Sequence, residues 1–345
     1  MFPTRFDSVL DLARLPWFEI EGGNRLIADP AVGPVIDMHS HIAFTYLVSQ
    51  QVDVLAETPT THYYLPLTTP LDLDLYSNLN LDAESLFAMK LDLTAMSFTA
   101  HGKRSTHTAP NLLRDMDALG IERAVILPFD LPVGASNAEV YIDTAERFPR
   151  LTTFGSVHPL DRRFDEKFDR QVSRGIAGMK FHPNGQLMSP DHPKTVRMCH
   201  RCGSAGIPVL FHCGPVGIEP KIAERRSQVW RYERAISENP HTTFILGHCG
   251  ALQSDEALQF ATRYDNLYYE VSCLGLPAVA RVLSTIDHDR ILYGTDWPFY
   301  HQAITLARVL MLTEGDEALR RAVLHDNAER LLSAGTARGS TTSAA

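Results

Sequence analysis

No stretch of this chain approaches the roughly 18 consecutive apolar residues that a membrane-spanning helix needs, and residues 1–23 hold acidic side chains but no apolar core of the kind a secretory signal carries. Positive charge is in short supply: 32 Lys and Arg stand against 41 Asp and Glu, a net charge of −9. That balance argues against a nucleic-acid or phosphate-coated surface as the main partner. Cysteine is sparse, and its number, five, is odd. Two of the five directly follow histidines, which does not resemble a disulfide framework. A Gly-rich phosphate loop is also missing after the first apolar strand, which argues against a dinucleotide-binding open sheet. The expectation is a cytoplasmic protein acting on a small molecule, with no nucleic acid and no membrane as partner.

What remains is ordinary globular material. The 345 residues are 44% hydrophobic and 21% charged, enough for one large domain or two of common size. Residues 1–33 read as an extension, with helical spacing over Phe6–Leu15 and a break at Gly22-Gly23. The first strand, Val35-Ile-Asp-Met-His-Ser-His41, ends in two histidines one residue apart. Side chains alternate faces along a strand, so His39 and His41 share a face and can converge on one metal through neutral ring nitrogens.

Residues 43–108 form a long irregular insertion rich in Thr, Pro, Leu and Asp, with a helix expected over Ala83–Ala95. A connection of that length is usually functional or carries its own structure. It reads as a lid over the site or as an oligomer contact. From Asn111 the pattern becomes regular, with apolar strands predicted at 123–128, 152–158, 176–182, 207–212, 243–248, 267–272 and 290–296. Helices are predicted between them at 111–119, 138–148, 164–174, 194–204, 222–238, 254–264 and 278–286. Continuous apolar runs are the mark of buried parallel strands. Eight such strands, counting the first, with 25–35 residues per strand–helix unit, predict an α/β fold, a (β/α)8 TIM barrel spanning 34–335 with a long insertion after its first strand. The stretch 336–345 is Gly/Ser/Thr/Ala-rich and reads as a disordered tail.

In such a barrel the active site lies at the strands' C-terminal ends. Those ends carry His39, His41, Lys180, His182, His212, His248 and Asp296. The segments Asp37-Met-His-Ser-His41, Gly178-Met-Lys-Phe-His-Pro183, Leu210-Phe-His-Cys-Gly214, Leu246-Gly-His-Cys-Gly250 and Tyr293-Gly-Thr-Asp-Trp-Pro-Phe299 stand in order at strand ends, and Asn327-Ala-Glu-Arg-Leu-Leu332 closes the series. They resemble the metal-dependent amidohydrolase superfamily, in its amidohydrolase-related branch, which includes aminocarboxymuconate-semialdehyde decarboxylase. The likeness runs from about Val35 to Leu332 and leaves residues 43–108 unmatched, so substrate identity is expected to be encoded there.

The resemblance implies a divalent metal, zinc by preference, held by His39, His41, His212 and Asp296, with His248 as an acid/base beside it. Asp296 would accept a proton from the activated water and pass it to a leaving group. A catalytic metal of this kind lowers the pKa of its water from about 15.7 to near 7. Lys180 has two readings under the same resemblance: a carbamylated bridge between two metals, or a cation facing a substrate carboxylate. His182 shares its face, but Pro183 behind it makes a structural role equally natural. The leading expectation is hydrolysis of an amide, lactone or ester. The alternative is non-oxidative decarboxylation of an aromatic or muconate-like acid, and a homodimer is implied by resemblance alone. Cys199-x-x-Cys202 on an outer helix, Cys213 and Cys249 read as structural, His158 as a pocket-lining residue or equally a loop start before Pro159, and Trp297–Phe299 as pocket floor or core. Arg225, Arg226 and Arg231 read as a solvated helix face.

Overall fold

The chain was analysed as a computed structural model that describes residues 2–132 and 134–339. Eight parallel strands form its centre: β1 (Val35–Ser40), β2 (Ile121–Ile126), β3 (Leu151–Thr153), β4 (Met179–Phe181), β5 (Val209–His212), β6 (Phe244–Gly247), β7 (Leu267–Glu270) and β8 (Ile291–Leu292). β1, β2 and β3 form one parallel ladder and β4 to β8 another, both in sequence order. Hydrogen bonds cross both seams. Lys180 N–H donates to Gly155 O at 2.8 Å between β3 and β4, and Met38 N–H to Tyr293 O at 3.0 Å and His41 N–H to Trp297 O at 2.7 Å between β8 and β1. The predicted (β/α)8 TIM barrel is the observed architecture.

A second apolar cluster, distinct from the large one between strands and helices, fills the lower barrel: Ile36, Met38, Val125, Leu210, Ile245 and Leu292 pack there against Ala328, Leu331 and Leu332. Simple alternation from Ile36 and Met38 would send Ser40 inward, and not His39 and His41. The β1–β2 register resolves this. Asp37 pairs with Ala124 and Ser40 with Ile126, three residues advancing against two. That bulge shifts the phase, so apolar side chains fill the barrel below and both histidines turn inward at its mouth.

The helices are α1 (Ala83–Leu93) in the insertion, then α2 (Ala109–Ala118), α3 (Ala138–Arg147), α4 (Phe164–Ser173), α5 (Pro193–Ser204), α6 (Lys221–Ser227), α7 (Tyr232–Ser237), α8 (Ser254–Leu258), α9 (Leu276–Thr285), α10 (Ala303–Leu312), α11 (Glu317–Arg321) and α12 (Asn327–Gly339). The helix expected over 222–238 is two helices: Gln228 is extended (φ −54°, ψ 132°), and Val229 N–H leaves the helix to donate to Gln253 Oε1 at 3.0 Å. β8 is shorter than the predicted 290–296, because Asp296 sits at φ 60°, outside strand geometry. In the N-terminal stretch, Val9–Arg14 is a 3₁₀ helix, and Phe18–Glu21 pairs with Arg25–Ala28 around Gly22-Gly23. The tail expected from residue 336 is helical as far as Gly339, and its remainder lies outside the described residues.

The insertion lies across the C-terminal mouth. Leu65 N–H donates to Phe299 O at 3.0 Å and Ser77 N–H to Cys273 O at 2.8 Å. The fully buried Arg308 of α10 reaches Leu73 O, Ser77 Oγ and Leu75 O at 2.8–3.0 Å. Tyr64 Oη donates to the buried Asp92 of α1 at 2.6 Å. No described helix is long and apolar enough to cross a membrane.

Candidate active site

The strand ends bring His39, His41, Lys180, His182, His212, His248 and Asp296 to one mouth. The His39 ring centroid is 5.3 Å from that of His41 and 4.6 Å from that of His248, which in turn is 4.8 Å from that of His212. One donor atom each from His39, His248 and Asp296 lies within 4.8 Å of the others. His41 Nε2 is 3.3 Å from Asp296 Oδ1. Lys180 Nζ donates to His39 Nε2 at 3.1 Å, on the side of the ring that faces the group. All except Asp296 are buried.

Hydrogen bonds fix the tautomers. His39 Nδ1–H donates to Glu270 Oε2 at 2.8 Å and His41 Nδ1–H to Leu127 O at 2.7 Å. Ser272 Oγ spends its proton on Glu270 Oε2, so it accepts from His248 Nδ1–H at 2.7 Å. Each of these rings therefore keeps its Nε2 lone pair, as a metal ligand backed by an acceptor does. His212 Nε2 is buried with no hydrogen-bond partner. His182 differs: its Nδ1 accepts from Gly185 N–H at 3.2 Å, leaving Nε2–H as a donor, and its ring stacks on His212 at 4.0 Å and 5°. That tautomer places His182 outside the ligand set.

Burial drives the imidazoles toward the neutral form: His39 and His212 fall well below the usual value, His41 falls, and His248 falls to about 4. Burial opposes ionisation of Asp296 too, but the His41 hydrogen bond and the nearby His248 and Lys180 outweigh it and hold the carboxyl below its usual range. His41 Nε2 and Asp296 Oδ1, 3.3 Å apart, are close enough to share one proton or one metal cation. The orphaned, buried His212 Nε2 has no proton partner and favours the metal. These residues fit a divalent metal. Burial also lowers the Lys180 ammonium to about 7.

Sequence reasoning missed the residues that hold this group. Glu270, fully buried on β7, accepts from His39, His248 N–H, Ser272 N–H and Ser272 Oγ, while burial pushes its carboxyl up to about 8. A Cβ on Gly294 would stand 2.3 Å from Glu270 Oε1, so this position needs glycine for close approach. Asp37 ties β1 to the segment after β8, accepting from His39 N–H, Ser40, Thr295 and Gln302. His248, Cys273 and Asp296 have left-handed φ of 60°, 66° and 60°, conformations costing on the order of 1–3 kcal/mol each that recur at functional sites. His158 is held by Gln186 O and Leu160 N–H, and of the residues read as structural, Cys199, Cys202, Cys213 and Cys249 are buried and free. Trp297 belongs to the core, with no exposure and its Nε1–H on Asp115.

Two chambers lead to the group. An inner one of about 40 Å³ is walled by His41, Asp296, Phe44, Phe299, Tyr76 and Tyr300, among others. An outer one of about 630 Å³ lies between the insertion (Leu47, Met89, Leu93) and the segment 216–226. Tyr46, His182, His212, Val216 and Ile218 line both, so the two chambers adjoin.

A parallel barrel with histidines and a carboxylate converging at its C-terminal mouth defines a metal-dependent TIM-barrel enzyme. The sequence profile of the amidohydrolase family matches residues 36–333, and the chain belongs to that family. No curated protein matches the sequence. Among solved structures, an uncharacterised TIM-barrel protein from Bordetella bronchiseptica is 18% identical, with 88% of this chain and 99% of that one covered and a TM-score of 0.62. A 2,6-dihydroxybenzoate decarboxylase from Rhizobium is 17% identical, over 86% and 99%, at 0.53. A probable 2-pyrone-4,6-dicarboxylic acid hydrolase from Acinetobacter baumannii is 13% identical, over 87% and 99%, at 0.53. At these identities the likeness is one of fold.

Proposed function

We propose that the protein is a metal-dependent hydrolase of a carboxylic-acid derivative, an amide, lactone or ester, with one divalent cation, zinc by preference, held by His39, His41, His212 and Asp296. When bound, the cation would bring the pKa of a coordinated water near 7 and polarise a substrate oxygen. The observation that carries the reading is geometric: at the inner chamber His41 Nε2, its Nδ1–H committed to Leu127 O, lies 3.3 Å from Asp296 Oδ1 beside the unpartnered His212 Nε2, so acceptor atoms converge there. Such a site is rich in proton acceptors, which suits deprotonation of water. Protonating a ring carbon, as decarboxylation requires, would instead need a proton donor aimed at the substrate.

Asp296 would take up the water's proton and deliver it to the leaving group. His248, with Nδ1 fixed by Ser272, offers its free Nε2 as the second proton acceptor. His182 Nε2–H would donate to a substrate oxygen. Asp37 and Glu270 hold the backbone and rings in place from behind.

One observation favours decarboxylation instead: the inner chamber is walled by Phe44, Tyr46, Tyr76, Phe299 and Tyr300, a lining suited to a planar ring. The test is to offer zinc-loaded protein a panel of lactones, esters, amides and aromatic acids, scoring hydrolytic product against carbon dioxide. Hydrolysis without gas release is expected. Carbon dioxide from an aromatic acid, with every ester, lactone and amide untouched, would replace the hydrolytic reading by the lyase one.

A further inference from the structure

The inner chamber, at about 40 Å³, is far smaller than the outer one of about 630 Å³, so the part of a substrate remote from the reacting group would lie in the outer chamber. The walls of that outer space are mostly apolar: Leu47, Met89 and Leu93 from the insertion face Val216, Ile218 and Ile222. Against this background two cations line it, Lys90 of α1 and Arg226 of α6. Arg226 is half-buried, and neither side chain takes part in a hydrogen bond or ion pair among the described residues. Several arginines on the outer helices are engaged: Arg174 with Glu139, Asp143 and Glu146, Arg197 with Asp165, and Arg231 with Asp191; Arg147 and Arg225, which form no side-chain bond among the described residues, line neither chamber. The one acid lining the chamber, Glu219, is taken up by its own loop, accepting from Val216 N–H and Ile218 N–H at 2.9 Å each. Arg226, read from the sequence as part of a solvated face, is instead an unpaired guanidinium on a pocket wall.

We propose that Arg226 and Lys90 are specificity-determining residues for the remote end of the substrate: the molecule has an apolar body, filling the outer chamber, and a distal carboxylate that these two cations bind. The substrate class is thus a carboxylic-acid derivative of an apolar diacid, with its reacting end toward Asp296 and its free carboxylate toward α1 and α6. A guanidinium offers a planar fork for a carboxylate, and an ammonium adds a point charge from the opposite wall. Both cations also oppose the chain's overall negative charge where an anion would enter. The proposal rests on the hydrolytic reading only for the nature of the reacting end; the distal carboxylate follows from the outer chamber alone.

The test is therefore one of binding. Zinc-loaded wild-type protein, Arg226→Met, Lys90→Met and the double variant are titrated by calorimetry with the diacids suberate to sebacate and with the matching monoacids octanoate to decanoate. Circular dichroism and melting temperature check that each variant keeps its fold. Wild type is expected to bind a diacid at least about 10-fold more tightly than its monoacid, the scale of one charge-assisted hydrogen bond in a partly desolvated site. Arg226→Met should erase most of that preference while leaving monoacid affinity within about twofold, and the double variant should erase the rest. Equal binding of diacids and monoacids by wild type, no binding of either, or a preference that survives in the double variant would overturn the assignment. A diacid preference in a protein that releases carbon dioxide and hydrolyses nothing would retain the distal site and discard the hydrolytic reading.

Discussion

Replacing Glu270 by glutamine probes the support of the metal group without touching a proposed ligand. Glu270 Oε2 accepts from His39 Nδ1–H at 2.8 Å, His248 N–H at 3.1 Å and Ser272 Oγ at 2.8 Å, and Oε1 accepts from Ser272 N–H. A glutamine has one acceptor oxygen, so either amide orientation sets its NH2 against at least one of these donors. Hydrogen bonds to a charged group contribute roughly 1.5–3 kcal/mol each, and losing one or two should destabilise the fold by about 2–4 kcal/mol. At roughly 2.1 cal/mol/K per residue, that corresponds to a drop of about 3–5 °C in melting temperature for a chain of 345 residues. Loss of the carboxylate behind His39 should also weaken zinc binding by about 10–100-fold, because that carboxylate sets the ring's tautomer and basicity. Competition against a chromophoric chelator measures the affinity, and calorimetry the melting point. Zinc affinity within twofold of wild type would refute the orienting role. An unchanged melting point as well would mean that Glu270 is already protonated and that its four contacts carry little weight.

Three further outcomes follow from the same geometry. His39→Ala or Asp296→Ala should abolish turnover while far-ultraviolet dichroism stays unchanged, and full activity in either variant would remove that residue from the site. Elemental analysis should find one divalent metal per chain, since His39, His248 and Asp296 converge on a single point among the described residues; two equivalents, falling to one in Lys180→Met, would show a carbamate bridge instead. Stability should fall in mild acid because of His301, whose imidazole burial lowers from 6.5 to about 4. The folded-state pKa lies below the unfolded one, so the unfolded chain binds the extra proton. The contribution, on the order of 3 kcal/mol, is then complete above pH 6.5 and is lost as pH falls toward 4. His301→Gln should flatten the decline in urea-unfolding free energy between pH 7 and 4.5, and an unaltered slope would refute this account.

Much of the barrel was legible because the buried parallel strands are continuous apolar runs and five of them are closed by a residue able to do chemistry, as in Leu210-Phe-His212. The inward turn of His39 and His41 was legible as a shared face, but the bulge that produces it was not, since a register shift arises from pairing with β2 and leaves no mark in β1 itself. Glu270 was hidden for a similar reason: in Leu267-Tyr-Tyr-Glu-Val it reads as a strand residue, and its partner His39 is 231 positions away. Arg226 was read as solvated because nothing in its own segment shows that α6 borders a chamber whose other wall comes from the insertion.

The clamp on Arg308 has a consequence for how such an enzyme could change its diet. Met89, Lys90, Leu93 and Thr94 shape the outer chamber, yet the segment they belong to is fastened to the barrel through other residues, among them Leu73, Leu75 and Ser77 in the guanidinium grip. Exchanging α1 while keeping those fastenings would redraw the vestibule and leave the histidines untouched. Selectivity and reactivity are thereby written on separable lengths of polypeptide.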